Sequence, residues 1–146
     1  MIVIACDHGG LEIKKALVAW LGEKGIACED IGTDTAESVD YPDYAHRVAE
    51  GIASGRWARG VLVCGTGLGM SMAANRHAGV RAALCSEPFS ATMSRRHNDA
   101  NVLCLGGRVI GPEMACEVLD AFLRSGFDGG RHERRVGKIE PRASGR

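Results

Sequence analysis

The sequence has few aromatic residues and no excess of charge of either sign. Only 5% of its 146 residues are Phe, Trp or Tyr, and 18 Lys and Arg balance 18 Asp and Glu. Without a net charge, no general attraction towards nucleic acid or an anionic membrane surface is expected. The scarcity of aromatic residues, together with 20 glycines, favours an α/β protein with tight turns over an all-β sandwich.

Long apolar runs and closely spaced cysteines are also missing. No segment approaches the ~20 apolar residues that span a bilayer, and the chain starts without a basic leader. We therefore expect a cytoplasmic protein whose thiols stay reduced. No Cys-x-x-Cys pair indicates a zinc or redox site, so we expect no bound metal and interpret most cysteines as small buried side chains. The six are Cys6, Cys28, Cys64, Cys85, Cys104 and Cys116.

What the sequence does contain is a regular alternation of strands and helices. Short apolar runs predict strands over residues 2–6, 26–31, 61–64, 80–85 and 101–105, each followed by a helix. Five such repeats predict a parallel sheet with right-handed crossovers and helices on both faces. The expected fold is a three-layer, Rossmann-like α/β/α sandwich around a five-stranded parallel sheet, in one domain over residues 1–140.

Local signals add detail at the helix starts and near the C-terminus. Asp40 is expected to cap one helix, and Pro112 to open the last one. Residues 126–140 are rich in glycine and then basic, and residues 141–146 have nothing to bury, so we expect a disordered tail there. The predicted inward residues of the last helix are Met114, Val118, Leu119 and Phe122.

The predicted rim of the sheet collects polar and glycine-rich segments. Ligands of such sheets bind beyond the carboxyl ends of the strands. The rim is therefore predicted to contain Asp7-His8, residues 64–69, Ser86-Glu87 and residues 106–108. Function is expected at this rim.

The segment Cys64-Gly65-Thr66-Gly67-Leu68-Gly69 is the most distinctive stretch of the rim. A strand, a glycine turn and a helix start present backbone N–H groups to an anion. The Gly-x-Gly-x-Gly spacing differs from the dinucleotide fingerprint and from a P-loop, although Glu87 lies at a distance that a ribose contact would tolerate. An oxyanion or phosphate cradle is favoured, and a dinucleotide site and a purely structural turn remain alternatives.

Cys64 is the potentially reactive group of this segment. A thiolate is stabilised beside a helix N-terminus, and it can act as a nucleophile or as a general base. An acyl-transfer nucleophile would need a histidine and an acid beside it, and the sequence does not supply that geometry. On the residues alone both roles stay open, next to that of a buried structural thiol.

Several other polar residues can be interpreted either as structural or as functional. His8 and Arg108 directly follow predicted strands, which places them on the rim. His97 and Asn98 lie at a helix end, where a dipole interaction or turn chemistry accounts for them as well as a binding role does. The basic residues 131–135 form either a solvated face or a phosphate clamp.

Seven motifs, in order from Met1 to about Ile139, resemble those of the type B ribose-5-phosphate isomerases, a family that also includes galactose-6-phosphate and allose-6-phosphate isomerases. They are Cys6-Asp7-His8-Gly9-Gly10, Asp40-Tyr41-Pro42, Cys64-Gly65-Thr66-Gly67-Leu68-Gly69, Ala73-Ala74-Asn75, Cys85-Ser86-Glu87-Pro88, Arg96-His97-Asn98-Asp99 and Gly129-Gly130-Arg131-His132.

The resemblance implies aldose–ketose isomerisation through a cis-enediolate, with no metal and no cofactor. It implies that Cys64 is the base that moves a proton between C2 and C1, that Thr66 assists the protons on the oxygens, and that His97 opens the furanose ring. The leading substrate pair is D-ribose 5-phosphate and D-ribulose 5-phosphate. Alternatives are another aldose phosphate (allose 6-phosphate, galactose 6-phosphate or a tetrose phosphate) and a non-catalytic phosphosugar-binding module.

The resemblance also implies binding roles for the other matched residues. The loop's backbone N–H groups would hold the enediolate oxygen, and side chains would line the sugar and the phosphate. The loop residues are Gly65, Thr66, Gly67, Leu68 and Gly69; the sugar site comprises Asp7, His8 and Tyr41; further substrate contacts are Asn98 and Arg108; the phosphate ligands are Arg131 and Arg135.

In the family, the active sites are shared between subunits. The resemblance implies that His97, Asn98 and Arg108 come from the neighbouring chain of a homodimer, and it leaves open a tetramer made of two such dimers. One branch of the family uses a glutamate as base at the position of Met70. Methionine cannot accept a proton, so this chain resembles the cysteine version.

Overall fold

The computed structural model describes residues 1–142, and all its strands join one parallel sheet. The strands are β1 (Ile2–Cys6), β2 (Cys28–Asp30), β3 (Arg59–Cys64), β4 (Ala82–Leu84) and β5 (Val102–Gly106). They lie in the order β2-β1-β3-β5-β4, and every neighbouring pair is parallel. The predicted five-stranded parallel sheet is confirmed, although β2 and β4 are shorter than expected.

Helices cover both faces of the sheet. They are α1 (Leu11–Glu23), α2 (Tyr41–Ala53), α3 (Leu68–Ala74), α4 (Pro88–Arg96), α5 (Pro112–Arg124) and α6 (Arg131–Val136). Along β3, Val61 and Val63 pack with α1, α4 and α5, whereas Leu62 and Cys64 pack with α2 and α3. This alternation is that of a strand buried on both faces. None of the described helices has the length and apolar character of a membrane span.

The neighbouring strands β1 and β3 lead towards opposite edges of the sheet. From β1 the chain passes through α1 to β2 at one edge, and from β3 it passes through α3 to β4 at the other. The two helices lie on opposite faces. Such a reversal opens a crevice at the carboxyl ends of the two strands, which is where ligands bind in open α/β sheets.

Several local predictions need correction. Met114 is 37% exposed, because Ala115, Val118, Leu119 and Phe122 already form the inward stripe of α5. The helix α6 was absent from the predictions, since its sequence RHERRV has one apolar residue and no periodic stripe. Asp40 occupies the N-cap position of α2, but its side chain makes no capping hydrogen bond.

The C-terminal tail is largely untested. Pro141 and Arg142 are exposed. Residues 143–146 lie outside the described residues, so the disordered tail over residues 141–146 stays a prediction.

Candidate active site

Backbone hydrogen bonds join three strand ends at the crevice. The N–H of Asp7, after β1, donates to the carbonyl oxygen of Val63 at 3.1 Å. The N–H of Gly107, after β5, donates to the carbonyl oxygen of Cys64 at 2.7 Å. These bonds fix the start of the segment 64–69, which we call the glycine loop, between its neighbours.

Cys64 is the last residue of β3, and it is 4% exposed. Its Sγ atom accepts a hydrogen bond from the backbone N–H of Gly67 at 3.1 Å. Since α3 begins at the next residue, Leu68, the thiol also lies beside the start of a helix. The sulfur is thus held at the point where the strand, the glycine loop and the helix meet.

Three other buried cysteines have a different environment. The thiols of Cys6 and Cys85 lie within donor distance of backbone carbonyl oxygens, at 3.6 and 3.9 Å. Burial raises the pKa of each of these two thiols to about 11, and burial also raises the pKa of Cys104. In residues 1–142, Cys64 is the cysteine whose sulfur accepts an N–H hydrogen bond.

The glycine loop requires glycine at two positions. Gly67 has φ 80°, in the left-handed region, and a Cβ there would lie 2.5 Å from Leu84 and 2.9 Å from the backbone of Leu105. A Cβ at Gly69 would lie 2.5 Å from the ring of Tyr41, the first residue of α2. The missing side chains therefore let the loop close around Cys64 and let the Tyr41 ring lie against it.

Asp7 and His8 are held at the rim by local backbone contacts. The Oδ1 atom of the buried Asp7 accepts a hydrogen bond from the N–H of Gly9 at 2.9 Å. The Nδ1 atom of His8 accepts one from the N–H of Val39 at 3.2 Å. Because Nδ1 is an acceptor, a neutral His8 carries its hydrogen on Nε2, which is then the donor for a ligand.

Thr66 and Arg108 complete this group. The Oγ1 atom of the exposed Thr66 accepts a hydrogen bond from the N–H of Leu68 at 3.3 Å, so its own hydrogen is available to a ligand. The N–H of Arg108 donates to the carbonyl oxygen of Gly65 at 2.9 Å, and its Nη1 atom lies 3.5 Å from the Cβ position of Gly65. The resemblance implies that Arg108 comes from a neighbouring subunit; in this structure it lies against the glycine loop of its own chain, because β5 pairs with β3.

A second group of predicted site residues surrounds the end of α4. The ring of His97 stacks on that of His132, with centroids 4.2 Å apart and planes within 7°. His97, Asn98, His132 and Arg135 line a pocket of about 310 Å³. Partial burial, His97 and the arginines Arg131 and Arg135 all lower the pKa of His132. Asp128 opposes this effect, and Arg131 and Arg135 bring positive charge to the pocket.

His132 has no role among the sequence predictions, although it stands in one of the seven motifs, next to Arg131. His97, His132 and Asp128 place possible ligand atoms within 4.8 Å of one another. The nitrogen lone pairs of stacked rings lie in two nearly parallel planes, whereas a metal needs them to converge on one point. Asp128 is also hydrogen-bonded to Arg96 at 3.2 Å. The arrangement suits a stacked pair beside an ion pair better than a metal chelate.

Within one chain the two groups lie at opposite ends of the sheet. Cys64 ends β3, but α4 runs back along the sheet, so that His97 lies where the strands begin. The six residues of β3 span roughly 20 Å. One end holds Asp7, His8, Tyr41, the glycine loop and Arg108, and the other holds His97, Asn98, Arg131 and Arg135.

Nearly the whole chain matches a known family model. Residues 2–139 match the model described as Ribose/Galactose Isomerase. The chain belongs to the ribose/galactose isomerase family. It is 50% identical to ribose-5-phosphate isomerase B of Escherichia coli strain K12 over 138 residues, which cover 94% of this chain and 93% of that protein.

Solved structures of ribose/galactose isomerases share the fold. A ribose 5-phosphate isomerase from Thermotoga maritima has a TM-score of 0.93 at 55% identity, and covers 94% of this chain and 95% of its own. Ribose-5-phosphate isomerase B from Mycoplasma genitalium, determined with bound ribulose-5-phosphate, has a TM-score of 0.91 at 41% identity. The match covers 94% of this chain and 92% of that chain. The family resemblance and the fold class predicted from the sequence are confirmed.

Proposed function

We propose that this protein is an aldose–ketose isomerase that interconverts D-ribose 5-phosphate and D-ribulose 5-phosphate, and that it needs no metal or cofactor. The observation that carries the proposal is the hydrogen bond from the N–H of Gly67 to the Cys64 sulfur. It places the sulfur next to backbone donors, and removal of a proton beside a carbonyl needs both a base and such donors. Relatives of 41% to 55% identity are ribose-5-phosphate isomerases.

The proposed base is Cys64. Its thiolate takes the proton from C2 of the open-chain aldose, and the electron pair forms an enediolate across C1 and C2. The thiol then returns the proton to C1, while Thr66 passes the hydroxyl proton of O2 to O1. The carbonyl thereby moves from C1 to C2, and no proton or electron is gained or lost overall.

The glycine loop is proposed to hold the charge that develops during this transfer. Its backbone N–H groups donate to the enediolate oxygen, and one such donor contributes about 3 kcal/mol to transition-state stabilisation in other enzymes. Asp7, His8 and Tyr41 bind the sugar hydroxyl groups from the same rim. Arg108 extends over the loop from its own chain and adds a positive charge beside the oxygens.

A homodimer with shared sites is proposed to combine the two groups of residues. The opposite positions of Cys64 and His97 in one chain support it, because neither group is complete without the other. Large apolar side chains near the glycine loop also support it: Leu68, Met72 and Phe89 are 50%, 67% and 70% exposed. A second copy would cover them and bring in the pocket that its own His97 lines. Pairing of two dimers into a tetramer stays a prediction.

The partner subunit's pocket is proposed to bind the phosphate and to open the sugar ring. Arg131 and Arg135 of the partner subunit hold the phosphate, which does not react but positions C1 and C2. His97 of the partner subunit moves the proton of the anomeric hydroxyl to the ring oxygen, which releases the open-chain aldehyde. Asn98 of the partner subunit contacts the freed hydroxyl groups. The proposal also places the protein in the cytoplasm, where a catalytic thiol stays reduced.

A panel of sugar phosphates tests the proposed function. We expect the pentose pair to give the highest kcat/KM among four-, five- and six-carbon substrates, and the rates to survive excess chelator. A higher value for allose 6-phosphate, galactose 6-phosphate or a tetrose phosphate would assign the same chemistry to another sugar. Binding of the whole panel without turnover would leave a phosphosugar-binding module.

A further inference from the structure

Asp99 differs from its neighbours because its backbone lies in the left-handed region, at φ 47°. Within residues 1–142 it is the one residue other than glycine with a positive φ. This conformation is disfavoured for L-residues, although Asp and Asn tolerate it better than most. Asp99 directly follows His97 and Asn98, to which the proposed function gives roles at the partner's site.

The Asp99 carboxylate connects two arginines. Its Oδ1 atom accepts a hydrogen bond from Nη1 of Arg95 at 2.9 Å, and its Oδ2 atom accepts one from Nη2 of Arg81 at 3.5 Å. Its carbonyl oxygen accepts a further bond from Nε of Arg81 at 2.9 Å. Arg95 is only 3% exposed, and in the described part of the chain Asp99 is the carboxylate that pairs with it. Losing this partner would leave a buried, uncompensated charge.

A third arginine adds to the positive charge around Asp99. Burial and the nearby Arg95 lower the pKa of Arg59, and the Asp99 carboxylate opposes this effect. Asp99 is thus the anion of a cluster of three arginines. The two arginines that contact Asp99 lie in different parts of the fold. Arg81 immediately precedes β4, and Arg95 belongs to the last turn of α4.

We propose that Asp99 is the positioning residue for His97 and Asn98. These two residues form a short bridge between the last turn of α4 and Asp99, and the contacts to Arg81 and Arg95 fix the far end of this bridge. A glycine would end the helix equally well. The contacts of the Asp99 carboxylate to the two arginines also fix the direction of the His97 and Asn98 side chains. In the proposed dimer these side chains extend towards the partner's glycine loop. The inference rests on the proposed function, because that function assigns ring opening to His97.

Two assays separate positioning from general stability. Conversion of ribose 5-phosphate requires the ring to open. Exchange of the C1 hydrogen of ribulose 5-phosphate with solvent deuterium does not require ring opening by His97, because this ketose carries its phosphate on O5 and cannot form a furanose. A residue that acts through His97 affects the first rate more than the second.

The variants are chosen to dissect the contacts of Asp99. Asp99→Asn keeps the tolerance for the left-handed backbone and removes the charge, whereas Asp99→Gly keeps only the backbone conformation. Glu29→Gln is the matched control, since Glu29 also accepts hydrogen bonds from two residues, Arg56 and Trp57, but lies outside both groups of site residues. If an Asp99 variant does not fold, Arg81→Gln removes the guanidinium that contacts Asp99, leaves the ion pair of Asp99 with Arg95 in place, and carries the same test.

We expect both Asp99 variants and His97→Ala to lose at least ~10-fold in conversion, because small displacements of a positioned group have effects of this size. Deuterium exchange should fall less than ~3-fold, and Glu29→Gln should change neither rate. Equal losses in both assays, or no loss in a folded Asp99 variant, would overturn the inference. A wild-type protein inactive in both assays would instead overturn the proposed function, and the inference with it.

Discussion

The sulfur of Cys64 accepts a hydrogen bond from the N–H of Gly67, three residues along the glycine loop, at 3.1 Å. This contact holds the sulfur, which is the proposed base, next to a backbone donor of the loop. In the proposed mechanism the sulfur takes a proton from the sugar, becomes a weak acceptor and leaves the N–H of Gly67 available. This donor can then bind the enediolate oxygen that the base has created.

Replacing the thiol should separate chemistry from binding. Cys64→Ala is expected to lower kcat by at least ~10²-fold, since base catalysis contributes ~10²–10⁴-fold, while the Kd for ribose 5-phosphate stays within about threefold. Calorimetric titration and a steady-state assay measure the two quantities. The half-buried Cys116→Ala is the control and should behave as the wild type. Full activity of Cys64→Ala would refute the proposed base.

Gly67 should tolerate substitution less well than another left-handed glycine. Gly55 has φ 79° and nothing within 4 Å of its Cβ position, whereas a Cβ at Gly67 would lie 2.5 Å from Leu84. Gly55→Ala should cost about 1–2 kcal/mol of unfolding free energy from backbone strain alone. Gly67→Ala should cost a further 1–3 kcal/mol or so from overpacking. Urea unfolding compares the two, and equal losses would contradict the steric argument.

The proposed role of Arg135 in phosphate binding predicts an effect on KM. Loss of a charge-assisted hydrogen bond of about 1.5–3 kcal/mol should raise KM by roughly 10–100-fold in Arg135→Ala and change kcat little. Arg124→Ala is a suitable control, because Arg124 pairs with Asp120 on the exposed side of α5. A lower kcat at unchanged KM would show that Arg135 acts on the reacting carbons instead.

The fold could be predicted from the sequence because its signals are local and repeated. Apolar strand runs, glycine turns and amphipathic helices each depend on neighbouring residues, and their alternation leaves few topologies. The helix α6 carries no such signal, since its RHERRV sequence lacks an apolar stripe. The inward position expected for Met114 was wrong by one residue, which is 100° on a helix.

The site was less predictable, because it depends on contacts between distant elements. Cys64 and its loop could be singled out by composition and spacing. The stacking of His132 on His97 joins α6 to the end of α4, and the contact of Arg108 with Gly65 depends on β5 lying next to β3. Neither the strand order nor these pairs follow from the local pattern.

Alkaline pH should destabilise the fold through its buried thiols. Burial raises the pKa of Cys85 from its ordinary 9.0 to about 11, so the folded state holds this proton more tightly than the unfolded state. The resulting stability is complete below pH 9 and is lost as the pH rises towards 11, by about 3 kcal/mol at most. Thermal unfolding of wild type and Cys85→Ala between pH 7 and 11 should show a smaller alkaline decrease in the variant. Identical decreases would mean that other groups cause it.

The proposed division of the site between subunits predicts that two impaired variants restore each other in the conversion of ribose 5-phosphate. Cys64→Ala and His97→Ala each lack one catalytic group, and a dimer of either alone has no complete site. In a mixed dimer, the Cys64 of one chain faces the His97 of the other, so one of the two sites is intact. Refolding an equal mixture should therefore recover about a quarter of wild-type activity, since half of the dimers are mixed. A mixture of Cys64→Ala with Thr66→Ala is the control, because both residues lie in the same glycine loop and no intact site can form. If the mixture of Cys64→Ala with His97→Ala recovers no activity although mass spectrometry demonstrates mixed dimers, each chain builds its site alone.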